Sequence, residues 1–162
     1  MTLDERVSAF YVEHRLALYR HLLLMGLSEG DAQDLTQEAF LSLYRTLLQA
    51  EDVENWRAWL YKAARNSALN RLHSAGVRLL ADPVSDELAT SGGDPETQAI
   101  ESQDRRRIFA AIDGLSSQQR ECLYLRADGL EYKAIGSILG IKASTVGEFL
   151  RRAIAQLRKA GL

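Results

Sequence analysis

Between Asp128 and Leu157 the chain reads DGLEYKAIGSILGIKASTVGEFLRRAIAQL, and this stretch leaves little choice of local structure. Ala134, Ile135, Ile138 and Leu139 form an apolar stripe at helical spacing, and Gly140 breaks it where a sharp turn is needed. Ile141 fills the corner, and Val146, Leu150, Ala153 and Leu157 resume the stripe at steps of three and four. Two helices about a glycine turn, the second carrying Arg151 and Arg152, have the parts of a DNA-reading helix-turn-helix. An αα-hairpin in an ordinary bundle has the same parts, so spacing alone leaves both readings open.

The rest of the chain agrees with a helical fold. Proline is nearly absent, and Leu and Ala dominate. At 162 residues the length suits one domain or two small helical ones. No apolar run approaches a membrane span, so no membrane insertion is expected. The opening MTLDERVSAFYVEHR is acidic and mixed rather than basic then apolar, which argues against a secretion signal. Cys122 is the single cysteine and reads as a small core residue in a reducing, cytoplasmic compartment. His14, His21 and His73 are isolated, so no metal site is expected.

Charge is unevenly distributed. Residues 1–100 hold 9 Lys/Arg against 15 Asp/Glu, a net −6, while residues 101–162 hold 11 against 7, a net +4. Opposite signs at the two ends suit different partners.

In chain order, Val7, Phe10, Tyr11, His14, Leu18 and Leu22 predict a first helix over Leu3 to Met25. Gly26 and Gly30 bracket a turn, and Ser28 is placed to cap a second helix from about Asp31 to Leu48. Its seam is Ala32, Leu35, Ala39, Leu43 and Leu47, while Asp31, Asp34, Gln37 and Glu38 line one exposed flank. Such a flank is either a solvated face or a partner surface. A third helix, about Asn55 to His73, belongs to a stretch without any acid from Asn55 to Arg78. Its cations are Arg57, Lys62, Arg65 and Arg71, with Trp56, Trp59 and Tyr61 interleaved. The pattern predicts Trp56, Leu60, Ala63 and Ser67 on one side and Tyr61, Lys62 and Arg65 on the other. Rings beside cations suit single-stranded nucleic acid, where bases stack and phosphates attract charge. The competing reading puts the tryptophans in the core.

From Ala75 to Gln98 the pattern dissolves, with both prolines, Gly92-Gly93 and surplus acid, as expected of a flexible linker. The second unit starts near Ile100. Ile108, Ala111, Ile112 and Leu115 mark one helix, and Ser117 is expected to cap the next, which holds Arg120, Cys122, Leu123 and Leu125. The expected organisation is therefore all-α: a helical domain over 1–75, a linker over 76–99, and a second domain with the helix-turn-helix over 100–162.

Several stretches together resemble one family. DAQDLTQEAFLSLYR (Asp31 to Arg45) resembles the helix by which extracytoplasmic-function sigma factors dock on the clamp helices of RNA polymerase. NWRAWLYKAARNSALNRL (Asn55 to Leu72) resembles their helix for melting and holding the minus-ten promoter element. Leu115 to Lys159 resembles their reader of the minus-thirty-five element, and YVEHRLALYRHLL near the start also fits.

The resemblance implies that Asp31, Asp34, Gln37 and Glu38 face core polymerase, and that Arg57, Tyr61, Lys62, Arg65 and Asn66 lie near the opened strand. It implies that the helix from about Ala143 enters the major groove of promoter DNA. Ser144, Thr145 and Glu148 would then meet base edges, and Lys142, Arg151 and Arg152 would meet phosphate. It also implies no catalytic site, no cofactor and an anti-sigma protein as a further partner. Gly147 stands where the family usually has a base, Phe149 where Arg is common, Asn70 where Asp is frequent and Ser116 where Pro is common. Gly147 and Phe149 favour a rival reading, a protein-interaction module that no longer reads DNA. A freestanding helix-turn-helix regulator is the other rival.

Overall fold

The computed structural model describes residues 1–74 and 95–161, with side chains over 1–74 and 102–161. All seven elements among the described residues are α-helices. They are α1 (Leu3–Leu24), α2 (Glu29–Leu48), α3 (Trp56–Ser74), α4 (Pro95–Asp113), α5 (Ser117–Ala127), α6 (Tyr132–Leu139) and α7 (Ala143–Lys159). The expected linker falls largely outside the described residues, and α4 starts at Pro95, earlier than the expected Ile100. Proline suits a first helical position, because its missing N–H would have no intrahelical partner there.

Local chemistry explains the boundaries. Thr2 and Glu5 form a capping box that starts α1. Ser28 accepts from the Asp31 amide at 3.2 Å, as expected, and Asn55 accepts from the Ala58 amide at 3.1 Å to start α3. The cap of α5 is Ser116, not Ser117: its hydroxyl accepts from the Gln119 amide at 3.1 Å, and Gln119 returns the bond to the Ser116 amide. The reason is that the box needs Glu or Gln three residues on, and Gln119 stands at that distance from Ser116 alone. Just past the end of α2, Ala50 has φ +59°. A left-handed alanine costs about 1 kcal/mol. Ala50→Gly is therefore expected to raise the thermal midpoint by roughly 2–4 °C, which differential scanning calorimetry would measure.

The helices α1, α2 and α3 pack on one another, as do α5, α6 and α7, with α4 laid against α7. The two bundles meet where α3 packs on α6 and α1 touches α5. Buried apolar side chains from both halves, Leu18, Leu22 and Leu60 on one side and Leu125, Ile135 and Val146 on the other, form one contiguous cluster. This contact reallocates the faces of α3. Its buried residues are Leu60, Tyr61, Ala64, Ala68 and Leu72, whereas Ser67 is exposed and Ala63 only half-buried. Tyr61 was expected on the open side. It is instead fully buried, because α3 is covered by the second half as well as by its own bundle. Trp56 and Trp59 are both half-buried; Trp56 meets Phe10 edge-on at 5.6 Å and carries the Arg6 guanidinium 4.7 Å above its ring. Cys122 is fully buried, and burial pushes its thiol up to about 11.

Candidate nucleic-acid and partner interfaces

Helix α2 presents the acidic flank. Ala32, Leu35, Ala39 and Leu43 are buried as the seam, which turns Asp34, Gln37 and Glu38 to solvent. Asp31 differs from them: it is half-buried and accepts from Arg71 of α3 at 3.0 Å, so it ties α2 to α3. Beside Gln37, helices α1 and α2 leave an open groove of about 620 Å³ lined by Val7, Tyr11, Val12, Phe40 and Leu41. Val12 is 72% exposed and Leu41 52%. Exposed aliphatic groups beside a row of carboxylates and an amide suit a protein partner better than bare solvent.

Helix α3 divides the nucleic-acid candidates in two. Lys62 and Asn66 are exposed. Arg57, Tyr61 and Arg65 are engaged across the contact with the second half. Arg57 reaches the Asp128 carboxylate at 2.6 Å and also donates to the Asp128 carbonyl. The Tyr61 hydroxyl donates to Asp128 Oδ2 at 2.9 Å. Arg65 grips Glu121 with two bonds, Nε to Oε1 at 2.9 Å and a terminal nitrogen to Oε2 at 3.1 Å. His21 of α1, wholly buried, places Nε2 3.3 Å from Glu121 Oε1. The Tyr124 hydroxyl donates to the Ala17 carbonyl at 2.6 Å.

These contacts show in the acid–base behaviour of the groups. Burial alone would raise the Glu121 carboxyl, but His21 and Arg65 outweigh it and hold the carboxyl below its ordinary value. Burial, then the Asp128 charge, pushes the Tyr61 phenol well above the ordinary tyrosine range, and burial pushes Tyr124 up to about 12. Both phenols therefore stay protonated donors at neutral pH.

In the second half, α6 ends at Gly140, which takes φ +72°, and α7 begins after Lys142. Val146, Leu150 and Ala153 are buried against the bundle. Lys142, Ser144, Arg151 and Arg152 are exposed, and Thr145 and Glu148 are half-exposed. The first turn of α7, with its free backbone N–H groups, thus stands open with a basic residue just before it. Glu148 accepts from Arg151 at 2.7 Å and from Arg152 at 3.0 Å, so one carboxylate holds both arginines along the helix. A Cβ at Gly147 would meet only the Tyr132 ring, at an ordinary 3.6 Å, so packing does not demand glycine there.

Sequence reasoning missed Glu121, Asp128 and His21 as interface groups. Glu121 carried a weak signal, an acid inside the apolar stretch ECLYL of a basic half. Asp128 and His21 carried none, because their roles depend on how the halves meet. Among the described residues no His, Cys, Asp or Glu cluster is placed to hold a metal ion.

Comparison with known proteins finds two family matches along the chain. Residues 10–77 match Sigma-70 region 2, and residues 105–157 match Sigma-70, region 4. The chain is 31% identical over 151 residues to the ECF RNA polymerase sigma-E factor of Escherichia coli, covering 87% of this chain and 78% of that protein. It is 30% identical over 149 residues to the ECF RNA polymerase sigma factor SigE of Mycolicibacterium smegmatis, covering 90% of this chain and 58% of that protein's length. Among solved structures it is similar in fold to the sigma factor RpoE of Bartonella quintana, determined in complex with the anti-sigma factor NepR. The TM-score is 0.69 at 20% identity, over 94% of each chain. It is also similar to CnrH in complex with the cytosolic domain of CnrY, with a TM-score of 0.62 at 19% identity over 96% of this chain and 87% of that one.

Proposed function

The chain belongs to the extracytoplasmic-function sigma factors of the sigma-70 family, and on that premise we propose how its own surfaces divide the work of starting transcription. The acidic flank of α2, with Asp34, Gln37 and Glu38, docks on the clamp helices of core RNA polymerase, and the groove beside it extends the contact. Asp31 shares this flank but serves first to hold α2 on α3. Helix α3 holds the opened minus-ten strand with Arg57, Tyr61, Lys62, Arg65 and Asn66. Helix α7 enters the major groove of the minus-thirty-five element, with Ser144 and Thr145 at base edges and Lys142, Arg151 and Arg152 on phosphate. The observation that carries this reading is the split of α7: its apolar residues are buried, while its first turn and its arginines stand in solvent.

RNA synthesis itself stays with the polymerase, so the reading assigns this chain no catalytic group and no cofactor. It places the protein in the bacterial cytoplasm, on the nucleoid. No described helix is long and apolar enough to cross a membrane. An anti-sigma partner belongs to the same reading, supported by the fold shared with RpoE in its complex with NepR.

Transcription with purified core polymerase tests it. The protein is expected to direct initiation from a promoter that core alone does not recognise. Asp34→Lys combined with Glu38→Lys is expected to lower core affinity by about tenfold or more, since two reversed charges oppose a basic partner. Helix content should not change, because both positions are exposed. Full core affinity in the double variant removes α2 from the interface.

A further inference from the structure

We propose that Arg6 of α1 is a further single-strand contact: held on the Trp56 ring, it offers its cation to the opened strand at the N-terminal end of α3. The proposal rests on the reading of α3 as a single-strand surface and extends that surface onto α1. Arg6 and Phe10 stand about one turn apart on α1 and so share a side of it. Phe10 meets the Trp56 ring edge-on at 5.6 Å, and the Arg6 guanidinium lies over that ring, 4.7 Å from its centre. Trp56 is the first residue of α3, so α1 delivers a cation to the start of that helix.

The charge of Arg6 is uncommitted. Its side chain is exposed, and among the described residues it enters no ion pair. The two acids before it in sequence are turned elsewhere: Glu5 accepts from the Thr2 amide at 3.0 Å, and Asp4 accepts from the Tyr44 hydroxyl. An aromatic ring carries no net charge, so a guanidinium resting on it keeps its N–H donors and its pull on phosphate. Being held there also lowers the freedom it loses on binding. The acidic loop of Glu51, Asp52 and Glu54 leads into the same end of α3 and repels a strand, which Arg6 offsets. Lys62, exposed on α3, stands about 9 Å along the helix from Trp56 at 1.5 Å per residue. Stacked nucleotides advance about 3.4 Å each, so a strand of roughly three nucleotides along α3 reaches both cations.

The test uses the full chain assembled with core polymerase and compares Arg6→Ala, Arg6→Lys and Lys62→Ala. The probe is a fluorescein-labelled single-stranded DNA of about 12 nucleotides, carrying the minus-ten sequence of a promoter from which the wild type initiates. Anisotropy at two salt concentrations, corrected for binding by core alone, reads capture. Arg6→Ala is expected to weaken binding about fivefold to tenfold and to flatten the plot of log affinity against log salt by about 0.7, the share of one phosphate on a single strand. Arg6→Lys should keep the slope and lose part of the affinity, because an ammonium keeps the charge without the planar fork. The melting midpoint of each Arg6 variant should stay within roughly 3 °C of wild type, since the side chain is exposed. Weaker binding by Arg6→Ala at an unchanged salt slope makes Arg6 a prop for Trp56 and overturns the proposal. Wild-type binding by Arg6→Ala beside a loss in Lys62→Ala overturns it too and leaves the α3 reading standing. Wild-type binding by all three variants overturns it through its premise, since α3 then holds no single strand through its open cation.

Discussion

Gly136→Ala is expected to destabilise the protein by about 1–3 kcal/mol, the range for overpacking a close-packed site. That corresponds to a fall in the thermal midpoint of roughly 2–12 °C for a chain of this size. Gly136 lies inside α6, and a Cβ built there stands 2.6 Å from the Ile141 carbonyl oxygen and 3.4 Å from the Ala143 amide nitrogen. Both atoms are backbone, so no rotamer change relieves the clash. The Ile141 amide also donates to the Gly136 carbonyl at 2.9 Å, which closes the corner from the other side. The chain must therefore widen the turn between α6 and α7 or lose that bond. Gly136→Val should cost more, because a branched side chain adds two further atoms at the same place. Gly147→Ala is the matched control: its Cβ meets only the Tyr132 ring at 3.6 Å, and alanine is favoured over glycine by about 1 kcal/mol in a helix. Thermal melts of the three variants followed by circular dichroism separate the cases. A Gly136→Ala variant as stable as wild type shows that the turn has slack the packing does not reveal.

The contrast between the two glycines says what was legible in the sequence. Gly140 announced itself by interrupting an apolar stripe, and it does end α6 in the left-handed region. Gly136 lies within the stripe, and its reason is the carbonyl of Ile141 across the turn, a contact no periodicity encodes. The helices were legible because their seams repeat at steps of three and four over many residues. The caps were legible to within one position, since Ser116 and Ser117 differ only in what lies three residues on. Exposure of the α2 flank followed from its seam, because burying Ala32, Leu35, Ala39 and Leu43 turns Asp34 and Glu38 outward. The face of α3 was not legible in the same way. Leu60, Tyr61, Ala64 and Ala68 share one side of α3, but Tyr61, at the edge of that side, is closed off by His21 of α1 and by Asp128 of the second half. Covering by a distant segment leaves no local signature, which is also why Asp128 and Glu121 were invisible as partners of Arg57 and Arg65.

Helix α7 carries the other large expected effect. Arg151→Ala and Arg152→Ala are each expected to weaken binding of the full chain to all duplexes alike. Each should flatten the plot of log affinity against log salt by about 0.9, the share of one phosphate contact. Glu148→Ala is expected to act in the opposite direction. Its carboxylate accepts from both arginines, which draws them along the helix and sets a negative charge near the phosphates. The arginines hold that carboxyl below its ordinary value, so it stays ionised at neutral pH. The pairs are solvent-exposed, and such pairs are weakly held, so the guanidinium groups are free to exchange a carboxylate for a phosphate. Removing Glu148 should therefore tighten binding to promoter and scrambled duplex together and steepen the salt dependence. Thr145→Ala should instead change the preferred base and leave the slope alone, since a neutral hydroxyl releases no counterion. Fluorescence anisotropy on both duplexes at two salt concentrations distinguishes these outcomes. A Glu148→Ala variant that loses preference for promoter without gaining affinity shows that the carboxylate reads a base edge, as cytosine's amino group would allow. Equal affinity of wild type for both duplexes, unmoved by Thr145→Ala, removes base readout from α7 and leaves it a surface for protein.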